Sequence, residues 1–263
     1  MAAPSPISPA TDPLVPTSLG DWFEKIIELI RRSFVRLLVI QIGLTVVIAV
    51  LGAIAGALVA LLVWDQSASR SATAGLNSLI FVAVFIVFLI VSAWVQAASF
   101  VIAVLDAAGE PISVGAALRF TRGRVLPLTG WMIISGIMTI VGFALLVIPG
   151  IYLMIVFGAS LIGVVTVERR NINRSFELVN RRFWPTTGRM SVVFLIFVVY
   201  ITVLIGIDYI AGPNSFVSSV LGWIFSIVIG LFAVGVSVVT YAELRFHENP
   251  TVLTPTLVAE LRR

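Results

Sequence analysis

The chain has no cysteine, one histidine and one lysine among its 263 residues. Without cysteine it can form neither a disulfide nor a thiolate metal site, and thiol chemistry is excluded. The single histidine, His247, follows the last apolar run beside Glu248, a setting in which a surface position is far more common than catalysis. We therefore predict no catalytic residue, no metal site and no bound cofactor.

Charged residues are also scarce, at 11% of the chain, whereas hydrophobic residues make up 59%. A soluble domain contains about 25% charged residues, so no water-soluble fold could hide this much apolar surface. No charge lies near the middle of an apolar run, which argues against ion-coupled carriers and proton pumps. No GxSxG, HExxH, P-loop or dinucleotide-binding pattern occurs, so an integral membrane enzyme that acts on lipid is the least favoured class.

Six apolar runs are candidate membrane spans. They lie at about 37–64, 78–105, 125–147, 150–167, 190–211 and 218–242. A helix needs about 20 apolar residues to cross about 30 Å of hydrocarbon, and backbone groups in lipid must bond within their own segment. The expected fold is therefore all-α, a polytopic bundle of six transmembrane helices.

The positive charges predict the orientation of this bundle. Every lysine and arginine except Arg70 lies in alternate gaps between the runs or at the chain ends, and cationic segments stay in the cytoplasm. Both termini should thus be cytoplasmic. The excess of arginine over lysine is typical of GC-rich bacteria, so we expect a bacterial plasma membrane. Cations at the membrane boundary favour anionic lipid headgroups as partners and do not indicate nucleic acid.

The runs divide into three units, each an amphipathic helix followed by two spans. The helices begin near Ser18, Ser113 and Asn171, and we expect all three on the cytoplasmic leaflet. In the first, Trp22 and Ile26 share an apolar face that should lie at the lipid interface. These three degenerate repeats are compatible with a transport fold, although plain duplication of a stable hairpin is the favoured explanation.

The composition also suggests domain boundaries. Residues 1–17 contain five prolines among Ala, Ser and Thr, which predicts a disordered tail. Residues 18–246 form the expected membrane domain, and residues 247–263 a cytoplasmic tail.

Four short motifs carry a family resemblance. They are PISVGAAL at 111–118, VIPGIYL at 147–153, RSFELVN at 174–180 and the pair Phe183-Trp184. Over about 111–189 the chain resembles the membrane domain found with bacterial glycerophosphoryl diester phosphodiesterases and in stand-alone relatives. The resemblance implies a multi-span bacterial membrane protein. It implies no activity, because the phosphodiesterase chemistry belongs to a separate soluble domain.

Pro149 and Gly150 predict how the third and fourth spans are joined. Proline presets φ at position i+1 of a type II turn, and glycine accepts the positive φ at i+2. We expect this structural turn to connect the two spans with almost no loop.

Boundary charges are the candidate binding residues. The predicted headgroup contacts are Arg119, Arg122, Arg124, Arg174, Arg181 and Arg182. Three acids, Asp106, Glu168 and Glu243, each follow the second span of a unit. They could form an ion-pair collar with nearby arginines, although solvated boundary charges are the more common arrangement.

The small and polar residues within the spans each allow two structural interpretations. Gly52 and Gly56 form a GxxxG pair that brings helices close together; packing within the monomer is favoured over a homo-oligomer. Gln96 could line a polar path, but a hydrogen bond to a neighbouring helix is favoured.

Together these patterns favour a non-enzymatic integral plasma-membrane protein that engages anionic lipid or supports an envelope-related assembly. The alternative is a small permease or channel-like protein for an uncharged or lipidic substrate. A continuous polar cavity between the spans would favour transport, whereas a tightly packed bundle would favour the lipid or scaffold role.

Overall fold

The computed structural model describes residues 11–64, 70–212 and 215–263, without the side chains of 62–64 and 70–74. The helices are α1 (Leu19–Trp64), α2 (Arg70–Ala107), α3 (Val114–Thr121), α4 (Val125–Leu145), α5 (Val147–Gly163), α6 (Asn173–Arg181), α7 (Phe183–Ala211), α8 (Phe216–Glu248) and α9 (Thr254–Arg262). A 3-10 turn at Arg122–Arg124 leads into α4, and a π-helical turn at Val164–Glu168 extends α5. The described residues contain no strand, which confirms the all-α fold.

Six segments are long and apolar enough to cross a membrane. They are α1, α2, α3 continuing into α4, α5 with its π-helical turn, α7 and α8. Large apolar side chains remain exposed along them, among them Val50, Phe81, Ile140, Leu195 and Trp223. Lipid solvates such a surface, whereas water would not tolerate it. The chain is thus a multi-pass membrane protein with the six predicted spans.

The densest packing lies at one end of the bundle, where the amino ends of α1, α4 and α7 meet the carboxyl ends of α2, α5 and α8. We call this the charged end, because the ion pairs of the bundle lie there. Ser18 and Ser113 start helices as predicted, since their hydroxyls accept hydrogen bonds from the backbone of Asp21 and Ala116.

The expected position of the first amphipathic helix at the lipid interface is wrong. It is continuous with the first span, and Trp22 and Ile26 are fully buried. The Trp22 indole donates a hydrogen bond to Thr240 of α8 at 3.2 Å. The apolar face packs on protein because α8 covers it, while Phe34 farther along points outward.

The predicted type II turn at Pro149 and Gly150 is also wrong. The chain reverses at Leu146, which is extended at φ −159° and ψ 148°, and both residues lie in the first turn of α5. Proline fits there because its missing N–H would have no partner in the helix. Gly150 has no positive φ. Glycine instead gives room to a neighbouring ring, because a Cβ at this position would lie 2.4 Å from Cγ of Phe143 on α4.

Both chain ends pack against the bundle. Asp12, Leu14 and Val15 are fully buried, so the predicted disorder is wrong for this part of the tail, while residues 1–10 lie outside the described residues. The predicted tail at 247–263 contains the docked helix α9, with Leu257 and Leu261 buried. The composition predicts disorder at residues 1–17 because a short proline-rich segment rarely carries enough apolar surface to fold alone.

One polar contact joins these two ends, and we call it the terminal clasp: Asp12, Lys25 and Thr254. The Asp12 carboxylate accepts hydrogen bonds from the backbone N and the hydroxyl of Thr254, at 2.8 and 2.7 Å. Lys25 donates to the Asp12 carbonyl at 2.6 Å. Since Thr254 begins α9, the carboxylate satisfies a free N–H at the positive end of that helix.

The GxxxG pair does not pack within the monomer. Gly52 and Gly56 are exposed, and a Cβ added to either would meet nothing within 4 Å. The favoured reading is therefore wrong, because no neighbouring helix lies over this face in the described residues. Contact with a second copy stays a prediction.

Candidate functional site

Charged side chains from α5, α6, α8 and α9 form a buried network at the charged end. We call it the ionic cluster, and it consists of Glu168, Arg174, Arg245, Glu248 and Glu260. Arg174 Nε donates to Glu168 at 2.7 Å, and its Nη1 donates to Glu248 at 2.8 Å. Arg245 lies 2.8 Å from Glu168 and 2.8 Å from Glu260. The cluster therefore ties four helices together.

Arg174 is the centre of this network. The hydrogen bond to the Glu248 carboxylate raises the pKa of the Arg174 guanidinium above its ordinary value, although burial opposes the rise. The guanidinium stays charged and is neutralised by its neighbours. A buried cation with this many carboxylate partners has a structural role.

The predicted ion-pair collar is present, and the expectation of solvated boundary charges is wrong. Asp106 and Glu243 are buried, and the side chain of Glu168 is only 6% exposed. Asp106 accepts a hydrogen bond from Arg36, and Glu243 lies 2.7 Å from Arg189. These acids keep their cations close because a carboxylate removed from water needs a partner of opposite charge.

The six predicted headgroup arginines separate into four groups. Arg174 is committed to carboxylates within the protein, so its assignment to lipid is wrong. Arg182 is partly exposed, 3.8 Å from Glu243. Arg119, Arg122 and Arg181 are exposed at the charged end, where a headgroup can reach them.

Arg124 forms the fourth group by itself. It is only 6% exposed, so it does not lie on the open boundary surface that the headgroup prediction assumed. Its Nη2 donates to the Leu261 carbonyl of α9 at 2.5 Å, and its guanidinium lies 4.6 Å from the centre of the Phe120 ring.

A cavity of about 770 Å³, the interspan cavity, lies between α1, α2, α5, α7 and α8. Its walls are mainly apolar, and its polar lining residues are Gln41, Gln96, Ser191 and Ser237. No charged residue lines it among the described residues. The loosest wall is α7, in which Thr186 is the only buried residue. The cavity can therefore hold an apolar, uncharged body.

The favoured reading of Gln96 is wrong. Gln41 and Gln96 line the cavity, and within the described part of the chain neither side-chain amide forms a hydrogen bond. A neighbouring helix does not satisfy Gln96 because the cavity separates the spans at that level. Each amide can both donate and accept a hydrogen bond, so both suit an uncharged polar group of a ligand.

A second cavity of about 420 Å³, the arginine pocket, lies at the charged end. It is lined by Phe120, Gly123, Arg124, Pro127, Trp131, Val165, Arg169, Arg170 and Asn171. It therefore combines three arginines with aromatic and apolar side chains, and no acidic residue lines it in the part of the chain that the structure describes. Arg169 follows the π-helical turn in the left-handed conformation, at φ 53° and ψ 34°.

His247 is exposed, as predicted, and its Nδ1 lies 2.9 Å from the Glu243 carbonyl. Within the described ranges no group of three or more His, Asp or Glu side chains could hold a metal ion.

The arginine pocket is the feature that sequence reasoning missed. Arg169 and Arg170 adjoin each other in the sequence directly after the fourth span, which is a visible signal. Only the fold brings Arg124 beside them, from 45 residues away in the chain. Arg245 and Glu260 of the ionic cluster were missed for the same reason.

The fold and these sites define a class: a multi-pass, all-α membrane protein with an apolar cavity between its spans and an ionic cluster at one end. No protein-family model, curated protein or solved structure matches the chain. The resemblance to the membrane domain of the glycerophosphoryl diester phosphodiesterases stays a prediction.

Proposed function

We propose that this chain is a non-enzymatic integral membrane protein that binds lipid and takes an apolar part of the lipid into the interspan cavity. The observation that carries the proposal is the lining of this cavity, which is mainly apolar and, among the described residues, has no charge and includes two glutamine amides without a hydrogen-bond partner. Its volume of about 770 Å³ is within the usual range of ligand sites, about 300–1,000 Å³. An acyl chain with an ester group fits this chemistry.

The charged end supports a preference for anionic lipid. Exposed arginines near an anionic leaflet contribute about 1 kcal/mol each, and Arg119, Arg122 and Arg181 are available for this role. In the proposed orientation this end faces the cytoplasm of a bacterial cell, because the cationic segments lie there. Headgroup contact at the surface and chain burial in the cavity are then two parts of one binding mode.

A photoreactive lipid tests the proposal directly. The full chain is reconstituted in nanodiscs with phosphatidylglycerol that carries a diazirine in its acyl chain, and crosslinked peptides are mapped by mass spectrometry. We expect crosslinks on cavity-lining residues of α5 and α7, such as Met154 and Phe194. Crosslinks spread evenly over the outer apolar surface would contradict a lipid site inside the bundle.

A matched pair of variants sharpens this test. Gly158 lines the cavity and Gly136 of α4 does not, and a Cβ added at either position meets nothing within 4 Å. Gly158→Phe should fill part of the cavity and lower crosslinking several-fold, whereas Gly136→Phe should leave it unchanged. Equal crosslinking in both variants would contradict the proposal that lipid enters the cavity.

The second candidate is a permease for an uncharged or lipidic substrate. The loose packing of α7 favours it, because a wall with one buried residue can move away from the bundle. Proteoliposomes with a fluorescent lipid analogue distinguish the two candidates. Faster movement of the analogue between leaflets indicates a permease; crosslinking without movement indicates binding alone.

A further inference from the structure

The three repeats share a pattern of charge pairing. In the first repeat, Arg36 directly precedes the first span and pairs with Asp106, which follows the second. In the third repeat, Arg189 directly precedes the fifth span and lies 2.7 Å from Glu243, which follows the sixth. In both cases a buried acid at the end of the hairpin neutralises the arginine at its start.

The middle repeat breaks this pattern. Arg124 directly precedes the third span and Glu168 follows the fourth, but Glu168 bonds to Arg174 and Arg245 instead. Arg124 is 6% exposed and has no carboxylate partner among the described residues. Its Nη1 is buried and has no hydrogen-bond partner within the described ranges. A buried cation in this state leaves a place for an anion.

The surroundings of Arg124 add positive charge where an acid would be expected. Arg169 and Arg170 line the same pocket, and Arg169 is close enough to repel the Arg124 charge. Arg169 also adopts the left-handed backbone conformation. This conformation is unfavourable for residues that have a Cβ, and at helix ends it is usually occupied by glycine. An arginine at this position therefore points to a use for its side chain.

We propose that the arginine pocket binds a phosphate group, held by the guanidinium groups of Arg124, Arg169 and Arg170 in the place of the missing carboxylate. Guanidinium groups match phosphate oxygens with paired hydrogen bonds, and a phosphate offers enough oxygens for several of them. Phe120 and Trp131 line the same pocket at the start of the third span, so a phosphate attached to an apolar body fits as well as a free one. This phosphate site depends on the proposed lipid-binding function in one respect only, namely that a lipid would supply the phosphate.

Ligands with and without phosphate test the proposal. Purified full-length protein in neutral detergent is titrated with short-chain phosphatidic acid, with the diacylglycerol of the same chains, and with glycerol 3-phosphate, and binding is followed by native mass spectrometry. We expect phosphatidic acid to bind at least about tenfold more tightly than diacylglycerol, because charge-assisted hydrogen bonds form only with the former. Equal affinities would overturn the phosphate site.

The titration with glycerol 3-phosphate shows whether the bound phosphate belongs to a lipid or to a soluble molecule. If glycerol 3-phosphate competes with phosphatidic acid at similar concentrations, the site takes a free phosphate ester. If only phosphatidic acid binds, the phosphate is carried by a lipid. Binding of glycerol 3-phosphate without any binding of lipid would leave the phosphate site standing while the lipid-binding function fails.

Two double variants of equal charge separate the pocket from general surface charge. Arg169→Gln with Arg170→Gln should lower the affinity for phosphatidic acid about tenfold or more. Arg31→Gln with Arg263→Gln, two exposed arginines outside both the pocket and the predicted headgroup contacts, should change it less than about twofold. Equal losses in the two would show that the pocket is not the site. Arg124→Lys keeps the buried charge but loses the planar fork, so it should fold and still bind phosphate more weakly.

Discussion

At the scale of single residues, Gly163 lies at a close contact between two helices. A Cβ on Gly163 of α5 would lie 2.3 Å from Cγ of Tyr241 on α8. The Tyr241 ring is fully buried, and its hydroxyl donates to Glu168 at 3.0 Å, so it cannot move aside. Gly163 is thus a contact point between the two helices.

Gly163→Ala should therefore destabilise the protein by about 1–3 kcal/mol, the usual cost of overpacking a core. Gly158→Ala on the same helix meets open space and should stay within about 0.5 kcal/mol of the wild type. Thermal unfolding in detergent measures both. Equal stability of the two variants would show that the bundle can separate α5 from α8 without cost.

A second glycine variant tests the revised geometry of the α4–α5 hairpin. Phe143, which faces Gly150, is 42% exposed and can turn towards lipid. Gly150→Ala should consequently cost less than Gly163→Ala, and Pro149→Ala should cost less still, because alanine suits the first turn of a helix. The same unfolding assay would contradict the packing role of Gly150 if Pro149→Ala strongly lowered stability while Gly150→Ala left it unchanged.

At the scale of helices, the buried arginine that joins α6 to α8 is Arg174, which pairs with Glu248. Arg174→Gln leaves Glu168 and Glu248 buried with fewer partners, and breaking a buried pair costs about 3–5 kcal/mol. Arg181 on the same helix is exposed, and its nitrogen lies 3.5 Å from Glu248. Arg181→Gln should cost less than about 1 kcal/mol.

Thermal unfolding of the two variants checks this difference, and limited proteolysis near α6 should detect loosening only in Arg174→Gln. If both variants unfolded at the same temperature, the ionic cluster would not hold α6 in place.

What could be predicted from the sequence depended on local pattern. Apolar runs predicted the six spans, and cap residues predicted the starts of helices at Ser18 and Ser113. The face of Trp22 was misassigned because protein and lipid are equally apolar neighbours. The role of Gly150 was misassigned because Pro-Gly suits both a turn and the tight first turn of a helix.

The candidate site was harder to predict than the fold. Charges at the ends of the spans were visible, but a sequence does not show which of them meet. Glu248 is 74 residues from Arg174, and only the packing of α6 on α8 joins them. The two cavities depend on gaps between helices, which composition does not record.

At the scale of the whole molecule, the charge asymmetry predicts topology. A reporter active only outside the cytoplasm should be active when fused after Ala72 or after Asn214, which lies outside the described residues. Fused after Asn173 or Pro250 it should be silent, because those positions are on the cationic side. A reporter active only inside should give the reverse pattern. Export at Asn173 would overturn the orientation.

The terminal clasp has a consequence for biosynthesis. Asp12 and Thr254 are 242 residues apart, so the first leaves the ribosome long before the second. All six spans must be inserted before α9 can reach the waiting carboxylate. Until then the Asp12 carboxylate has only the backbone N–H groups of Leu14 and Val15 as hydrogen-bond donors. The clasp therefore forms only after α9 has been synthesised, and a chain truncated before Thr254 lacks it.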